Sequence, residues 1–156
     1  MTAGGATIAF EPAGGDDARW CLEQYYAELA SRFDDGFDPL TGNNFDPAEM
    51  TPPKGWFAIA RLAGRAAGCG ALKRIDGGRG EIKRVWIDKS ARGLGLAGKI
   101  MDRLEAQARA AGFSSVVLDT NKTLVEARAM YLKRGYGEIG RYNDNPYADH
   151  WFELRL

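Results

Sequence analysis

A chain of 156 residues, 45% hydrophobic and 27% charged, has the material for one domain with a sizeable core and is cramped for two. Its 21 Lys and Arg balance 21 Asp and Glu, so no global positive field recruits nucleic acid or an anionic membrane, and any ligand must be held by a local site. The first residues carry no basic cluster and no long apolar run, and no later stretch approaches membrane-spanning length, which predicts a cytoplasmic protein.

In chain order, Thr7 to Phe10 is a short strand. Asp16 and Asp17 then offer an N-cap to a helix whose Trp20, Leu22, Tyr25, Tyr26, Leu29 and Phe33 form a broad apolar face. Asp34 to Lys54 is a long connection rich in Gly, Pro, Asn and Asp, with a short helix from Asp46 to Met50, and loops of this length are often lids. Its Asp34, Asp35, Asp38, Asp46 and Glu49 are interleaved with Phe33, Phe37 and Phe45. Two readings stay open: a lid that draws a cationic amine by charge and cation–π contact, or a solvated acidic loop whose rings dock on the core.

Trp56 to Leu62 and Ala66 to Ile75 read as a hairpin about Ala63, Gly64 and Arg65, and the turn Asp76 to Gly80 leads into a third run, Glu81 to Ile87. This is an antiparallel meander. Cys21 and Cys69 are too few for a disulfide scaffold and lack metal-ligand spacing, so each is expected to be a small buried hydrophobe. Leu96, Ile100, Met101, Leu104 and Ala108 recur at helical spacing until Gly112 stops them. A strand follows at Phe113 to Leu118. A further helix has Thr123 and Glu126 as its capping box, Lys133 and Arg134 in its last turn and Gly135 as its stop. Ile139 to Tyr142 and His150 to Leu156 close the chain as two strands. The order predicts an α+β fold over residues 1–156, a mixed and mostly antiparallel sheet flanked by helices.

The stretch from Asp88 to Ile100 runs a Gly-rich turn straight into a helix. The first amides of that helix lack intrahelical acceptors, and residues without a Cβ let an anion come close to them. Charge-assisted hydrogen bonds contribute about 1.5–3 kcal/mol each against about 0.3–1 kcal/mol for the macrodipole, so the aimed amides dominate. Three phosphate patterns overlap here. Gly93, Gly95 and Gly98 fit G-x-G-x-x-G, Gly93 to Lys99 fits most of G-x-x-x-x-G-K-[ST], and Arg92 to Ala97 fits R-x-x-G-x-A. The P-loop needs a hydroxyl on Mg²⁺ where Ile100 stands, an apolar side chain that cannot ligate a hard cation. A dinucleotide fold finds its acidic residue in Asp119, but fewer than forty residues follow, too few for the second half of a doubly wound domain.

The loop Arg92 to Ala97 resembles the acetyl-CoA loop of the GCN5-related N-acetyltransferase (GNAT) superfamily. The resemblance extends over most of the chain and is strongest across Glu81 to Ile87, Arg92 to Lys99 and Ala127 to Tyr136, the last of which looks like the family's A-x-x-x-Y-x-x-x-G-[FY] segment. It implies a splayed sheet, in which the strand before the Gly-rich turn parts from the strand after the helix and acyl-CoA lies in the V. It further implies acetyl-CoA as cosubstrate, no metal, and direct attack on the thioester by a primary amine; the short chain and the acidic lid point to a small-molecule or amino-acid-like acceptor. By the same resemblance the backbone of Val85, Trp86 and Ile87 holds the pantetheine, and Arg92, Gly93, Leu94, Gly95, Ala97, Gly98 and Lys99 hold the phosphates. Many relatives carry an asparagine seven residues before the tyrosine, where this chain has Leu124; Asn121 is the candidate substitute. A homodimer is compatible with the family.

Acetyl transfer needs an unprotonated nitrogen, stabilisation of an oxyanion and a proton for the departing thiolate. An alkylamine near pKa 10 is almost wholly protonated at neutral pH, so a carboxylate should help remove a proton. Glu81 stands where several family members carry a glutamate base; otherwise it is an ordinary carboxylate paired with Lys83 or Arg84. Tyr131 matches the tyrosine that the family points at the thioester sulfur, although with Leu124 and Ala127 it also fits an apolar stripe. An amide near Val85 could bind the oxyanion. His150, beside Trp151 and Phe152, reads as a structural imidazole or else a substrate contact, and Tyr142 with the turn from Asn143 to Tyr147 is expected to border the acceptor site. The competing functions are a noncatalytic acyl-CoA-binding sensor, a protein or peptide N-acetyltransferase, and a dinucleotide- or ATP-binding domain.

Overall fold

The computed structural model describes residues 5–39 and 46–156. In chain order the elements are β1 (Ala6–Phe10), α1 (Asp16–Arg32), a 3-10 turn (Pro47–Met50), β2 (Gly55–Leu62), β3 (Arg65–Arg74), β4 (Arg79–Ile87), a second 3-10 turn (Lys89–Ala91), α2 (Leu96–Ala110), β5 (Ser115–Thr120), α3 (Val125–Lys133), β6 (Gly137–Ile139) and β7 (His150–Arg155). The strands form one seven-stranded sheet in the order β1-β2-β3-β4-β5-β7-β6. Every pairing is antiparallel except β4 with β5. This is the mixed, mostly antiparallel sheet that the pattern of elements predicts. Ala63 and Gly64, both at positive φ, close the β2–β3 hairpin with the twist such two-residue turns favour.

Each face of the sheet buries one helical layer. The periodic residues of α2, Ile100, Met101, Leu104 and Ala108, pack with Leu72, Ile82, Val116, Leu118 and Phe152 of the sheet and with Tyr131 of α3. Burying side chains of this size contributes about 1.5–3 kcal/mol each. On the other face α1 lays Cys21 and Leu22 over Phe57, Ile59, Cys69, Ala71 and Trp86. Both cysteines are buried free thiols. Gly70 of β3 is required by the closeness of α2: a Cβ there would stand 2.7 Å from Ile100 Cγ2.

Strand β4 is irregular in two respects. It pairs with β5 only at Arg79, Gly80 and Glu81; beyond that the two diverge, and β5 continues along β7 as far as the pair Thr120–His150. Against β3, Cys69 pairs with Trp86 and Ala71 with Lys83, so Gly70 alone faces two residues, Arg84 and Val85. This is a β-bulge, and Arg84 occupies it at φ +59°.

Several local expectations are corrected. Gly15, not Asp16 or Asp17, is the N-cap of α1 and makes no side-chain bond; Asp16 pairs with Arg19 and Asp17 with Arg61. The capping box at Thr123 and Glu126 does not form, because α3 starts one residue later behind Leu124. Thr123 instead donates its hydroxyl to Asn121 Oδ1 at 2.8 Å and Glu126 pairs with Arg32 at 2.9 Å, local and tertiary partners outcompeting the cap. The strand placed at Phe113 to Leu118 runs two residues later. The strand expected at Ile139 to Tyr142 ends at Ile139, since Tyr142 leaves the sheet edge to hydrogen-bond Glu81.

Candidate active site

The divergence of β4 and β5 opens a cleft of about 330 Å³ between α1 and α3. Its floor is Val85, Trp86 and Ile87, its outer end Arg92 and Ala97, and its far wall Leu124, Ala127, Met130 and Tyr131. Past Glu81 the β5-facing edge of β4 has no strand partner among the described residues, which leaves main-chain groups open to an extended ligand such as a pantetheine arm. At the outer end α2 begins behind Gly95, in the left-handed conformation at φ 78°, with Gly93 at φ 82°. A Cβ at either glycine would stand in open space, and the first turn of α2 carries no acidic residue. An open turn, free helix amides and no competing carboxylate fit a diphosphate. Leu94, Gly98 and Lys99 belong to this turn and the first helical turn behind it, rather than to the cleft wall. Arg92 lines the cleft, but its guanidinium is engaged: Nη2 lies 2.5 Å from Glu28 of α1 and Nε donates to the Ile87 carbonyl.

A second cavity, about 80 Å³, continues inward from the first. The two share Tyr25, Leu29, Val85, Leu124, Ala127 and Tyr131. Tyr131 therefore stands at the junction. Its hydroxyl hydrogen-bonds none of the described residues, and burial pushes its pKa well above the usual phenol range, so it keeps its proton. The inner cavity is walled by Glu81, Lys83 and Arg84 of β4, by Asp119 and Thr120 of β5, and by aromatic rings of Phe33, Phe37 and Tyr147. Phe37 packs 4.8 Å from Tyr147 and 5.7 Å from Phe33 and Tyr26, and the Asp38 amide donates to the Tyr147 hydroxyl.

The acidic-lid expectation divides here. The rings of Phe33 and Phe37 do wall the site, whereas Asp34, Asp35 and Asp38 are exposed and line neither cavity. Phe45 lies outside the described residues. The charges of the inner cavity come from the sheet instead.

Glu81 is buried and accepts from Tyr142 at 2.6 Å and Asn143 at 3.2 Å, with Lys83 Nζ at 3.7 Å. Asn143 also donates to Asp119 at 2.7 Å, and Asn145 donates to the other Asp119 oxygen at 3.2 Å. Desolvation raises the Asp119 pKa against those two hydrogen bonds, and the Glu81 charge adds to the rise. Lys83 is pushed down to about 8, first by burial. Glu81 thus lines the inner cavity and is partnered by Lys83.

Asn121 does not take the position expected of it. It lines the inner cavity rather than the cofactor cleft, and its side chain is committed to the loop: Nδ2 donates to the Tyr147 carbonyl at 2.7 Å and Oδ1 accepts from the Thr123 amide and hydroxyl. His150 lines neither cavity and sits 2.9 Å from Glu138. Sequence reasoning passes over Tyr25, Lys83, Arg84 and Thr120 as site residues. Tyr25 is absorbed in a helical stripe. Lys83 and Arg84 carry a visible signal, two adjacent polar residues interrupting the alternation of a buried strand. Among the described residues no cluster of His, Cys, Asp and Glu could hold a metal ion, and no helix is long and apolar enough to cross a membrane.

Comparison with known proteins agrees with this geometry. The model of the acetyltransferase (GNAT) family matches residues 19–136. An IAA acetyltransferase of Azospirillum brasilense is 32% identical over 127 residues, 79% of this chain and 83% of that protein. A GNAT-family acetyltransferase structure from Staphylococcus aureus superposes with a TM-score of 0.80 at 17% identity, covering 97% of this chain and 99% of the other. One from Elizabethkingia anophelis with acetyl-CoA bound gives a TM-score of 0.62 at 15% identity over 97% and 99% of the two chains. A sheet that splays beside a Gly-rich helix start, matched by the family over most of its length, makes this chain a member of the GNAT family of acetyltransferases.

Proposed function

We propose that this enzyme transfers the acetyl group of acetyl-CoA to a primary amine of a small molecule or amino-acid-like acceptor. The observation that carries the proposal is the pair of cavities meeting at Tyr131, one long and open to the Gly-rich turn, the other short and walled by rings. On a measure in which one water needs about 10–15 Å³, 80 Å³ has room for about six waters, the size of a small amine rather than of a peptide segment. The name of the Azospirillum relative, an IAA acetyltransferase, likewise points to a small acceptor.

Acetyl-CoA supplies an activated thioester. Val85, Trp86 and Ile87 offer it main chain, and the turn Gly93 to Lys99 with Arg92 offers its diphosphate amides and charge. The acceptor ammonium gives up a proton toward the Glu81–Asn143–Asp119 network, directly or through water. Its nitrogen forms the C–N bond as the C–S bond breaks, an amide near Val85 holds the oxyanion, and Tyr131 hydrogen-bonds the departing sulfur. With a thiol pKa near 8.5, that sulfur needs a donor and not a strong acid. Asn121 positions the loop that carries Tyr147.

An acceptor screen with acetyl-CoA, reading free thiol, tests the proposal. Turnover with small amines is expected; turnover confined to protein or peptide acceptors overturns the acceptor class. Tight acetyl-CoA binding without turnover across the panel would identify a sensor.

A further inference from the structure

Glu81 and Asp119 both line the inner cavity, but their charges are met in different ways. Glu81 takes two donors on one oxygen, Tyr142 at 2.6 Å and Asn143 at 3.2 Å, and has Lys83 Nζ 3.7 Å from the other. Asp119 accepts one neutral amide on each oxygen, Asn143 at 2.7 Å and Asn145 at 3.2 Å, and forms no ion pair among the described residues. A buried carboxylate without a cation is unfavourable, and a cation brought by the substrate offsets that.

The backbone puts Asp119 at the fork of the sheet. Val116 and Leu118 pack in the α2 core, so the alternation of β5 turns Asp119 to the α1 side. Glu81 and Val117 are the last pair that β4 and β5 make, and Asp119 stands two residues further along β5, about 6–7 Å past the parting of the strands. Its charge reaches Tyr25 and Tyr131, which line both cavities.

The amide between the carboxylates is held in one orientation. Asn143 Oδ1 accepts from Trp151 Nε1 at 2.9 Å and from the Asn145 amide at 3.3 Å, which leaves both hydrogens of Nδ2 for the carboxylates, one for Glu81 and one for Asp119. Trp151 is itself the β7 residue paired with Asp119. The β6–β7 loop thus fixes Asp119 with donors that carry no charge. An arginine in their place would fix it as well but cancel it; two asparagines keep the negative charge available.

We propose that Asp119 binds the ammonium group of the acceptor and is the base that takes its proton, with Asn143 as its positioning residue. This deepens the reading of acetyl transfer to a small amine and rests on it. One proton of the ammonium passes to an Asp119 oxygen, and the freed nitrogen attacks the thioester carbon, forming C–N as C–S breaks. A second proton leaves the nitrogen as the amide forms and reaches the departing thiolate through the Tyr131 hydroxyl. Asp119 then returns its proton to solvent, so each turnover releases one. Burial, and after it the Glu81 charge, raise the proton affinity of Asp119, while Asn143, Asn145 and Lys83 lower it. The other titratable groups around it are Lys83 and Arg84 of β4, partnered by Glu81 and Tyr26, and the phenols Tyr25 of α1, Tyr131 of α3 and Tyr142 of the loop, which burial keeps protonated.

The test measures kcat/KM for primary alkylamines with the full chain and acetyl-CoA from about pH 5 to about pH 10, which brackets a carboxylate and an alkylamine. The wild type should lose activity along an acid limb, where Asp119 protonates, and reach a plateau toward neutral pH. Asp119→Asn, which keeps the side-chain shape, should fall about 100- to 10,000-fold at neutral pH. It should also lose the plateau and regain about tenfold per pH unit as solvent frees the amine, with the acetyl-CoA KM hardly moved. Glu81→Gln should shift the acid limb to lower pH and Asn143→Ala to higher pH, opposite directions that a structural defect does not produce. Those two shifts test Asp119 even should Asp119→Asn fail to fold, each read on protein whose circular dichroism matches wild type. A plateau kept by folded Asp119→Asn would overturn the proposal, and its loss in Glu81→Gln would assign the base to Glu81, with acetyl transfer left standing in both cases. An acid limb that neither Glu81→Gln nor Asn143→Ala moves would overturn it too. No turnover of any amine by the wild type at any pH would overturn acetyl transfer along with it.

Discussion

Glu28 and Arg92 meet at 2.5 Å across the outer end of the cofactor cleft, tying the Gly-rich turn to α1. Glu28 also accepts from Trp86 Nε1 at 3.2 Å and from Arg32 at 3.4 Å, and Arg32 reaches on to Glu126 of α3. Acidic and basic side chains thus link three elements that border the cleft. Arg92 can serve a phosphate only while shared with, or released from, this carboxylate.

Arg92→Gln should separate those roles. A charge-assisted hydrogen bond is worth about 1.5–3 kcal/mol, and since the Arg92 side chain is 42% exposed, solvent screening places the effect at the low end. The KM for acetyl-CoA should rise about tenfold, while that for S-acetylpantetheine, the same thioester without a diphosphate, should stay within about twofold. An equal rise for both would assign Arg92 to the α1 tie alone.

Tyr131→Phe removes the hydroxyl at the junction of the cavities and keeps the ring that packs against Tyr136 and Phe152. We expect kcat to fall by about 100-fold or more, the usual reach of a positioned acid–base group. Acetyl-CoA affinity by calorimetry should be nearly unchanged. A kcat close to wild type would leave Tyr131 a core residue.

Gly95 is a poor place to probe the diphosphate, because at φ 78° any side chain strains the backbone whatever it touches. Ala97 is better: it is helical and lines the cleft. Ala97→Leu should abolish most of the thermal stabilisation by acetyl-CoA, which at a hundred times its dissociation constant amounts to about 2.7 kcal/mol in the wild type. NAD and ATP should give no comparable shift in either protein; a matching shift with NAD would revive the dinucleotide pattern.

Lys83 should leave a mark on stability. Its pKa falls from 10.5 to about 8 because burial disfavours the cation, with Glu81 and Asp119 opposing the shift and Arg84 and Lys73 adding to it. Between those values the unfolded chain binds more protons than the folded one, so unfolding free energy rises with pH. The rise is up to about 3 kcal/mol at 1.36 kcal/mol per unit. Urea titrations at pH 7.5 and 10 should show this rise in the wild type relative to Lys83→Met. Parallel pH dependences in the two proteins would mean that Lys83 is not the buried cation described here.

The fold was legible because most elements carry their own punctuation. Gly112 and Gly135 end two helices at positive φ, the stripe from Leu96 to Ala108 is buried as its spacing demands, and Ala63 with Gly64 makes the hairpin. The turn at the outer end of the cleft was legible for a related reason: a turn that exposes main chain leaves its signature in glycines. The inner cavity was not, since it is assembled from β4, β5, α1 and the β6–β7 loop. Its bulge is occupied by arginine, where the letter that announces a left-handed residue would be glycine or asparagine. Asn121 misled for the opposite reason. An asparagine near the right place proved to be bonding its own loop, a local attraction that spacing alone does not reveal.

One extra residue in β4 separates two kinds of surface along a single strand. Beyond the bulge the strand offers main chain to the outer cleft, which tolerates change in side chains; at the bulge it turns two neighbouring side chains, Lys83 and Arg84, to the inner cavity. Exchanging residues 83 and 84 would therefore change the lining of the inner cavity and leave the main chain of the outer cleft in place.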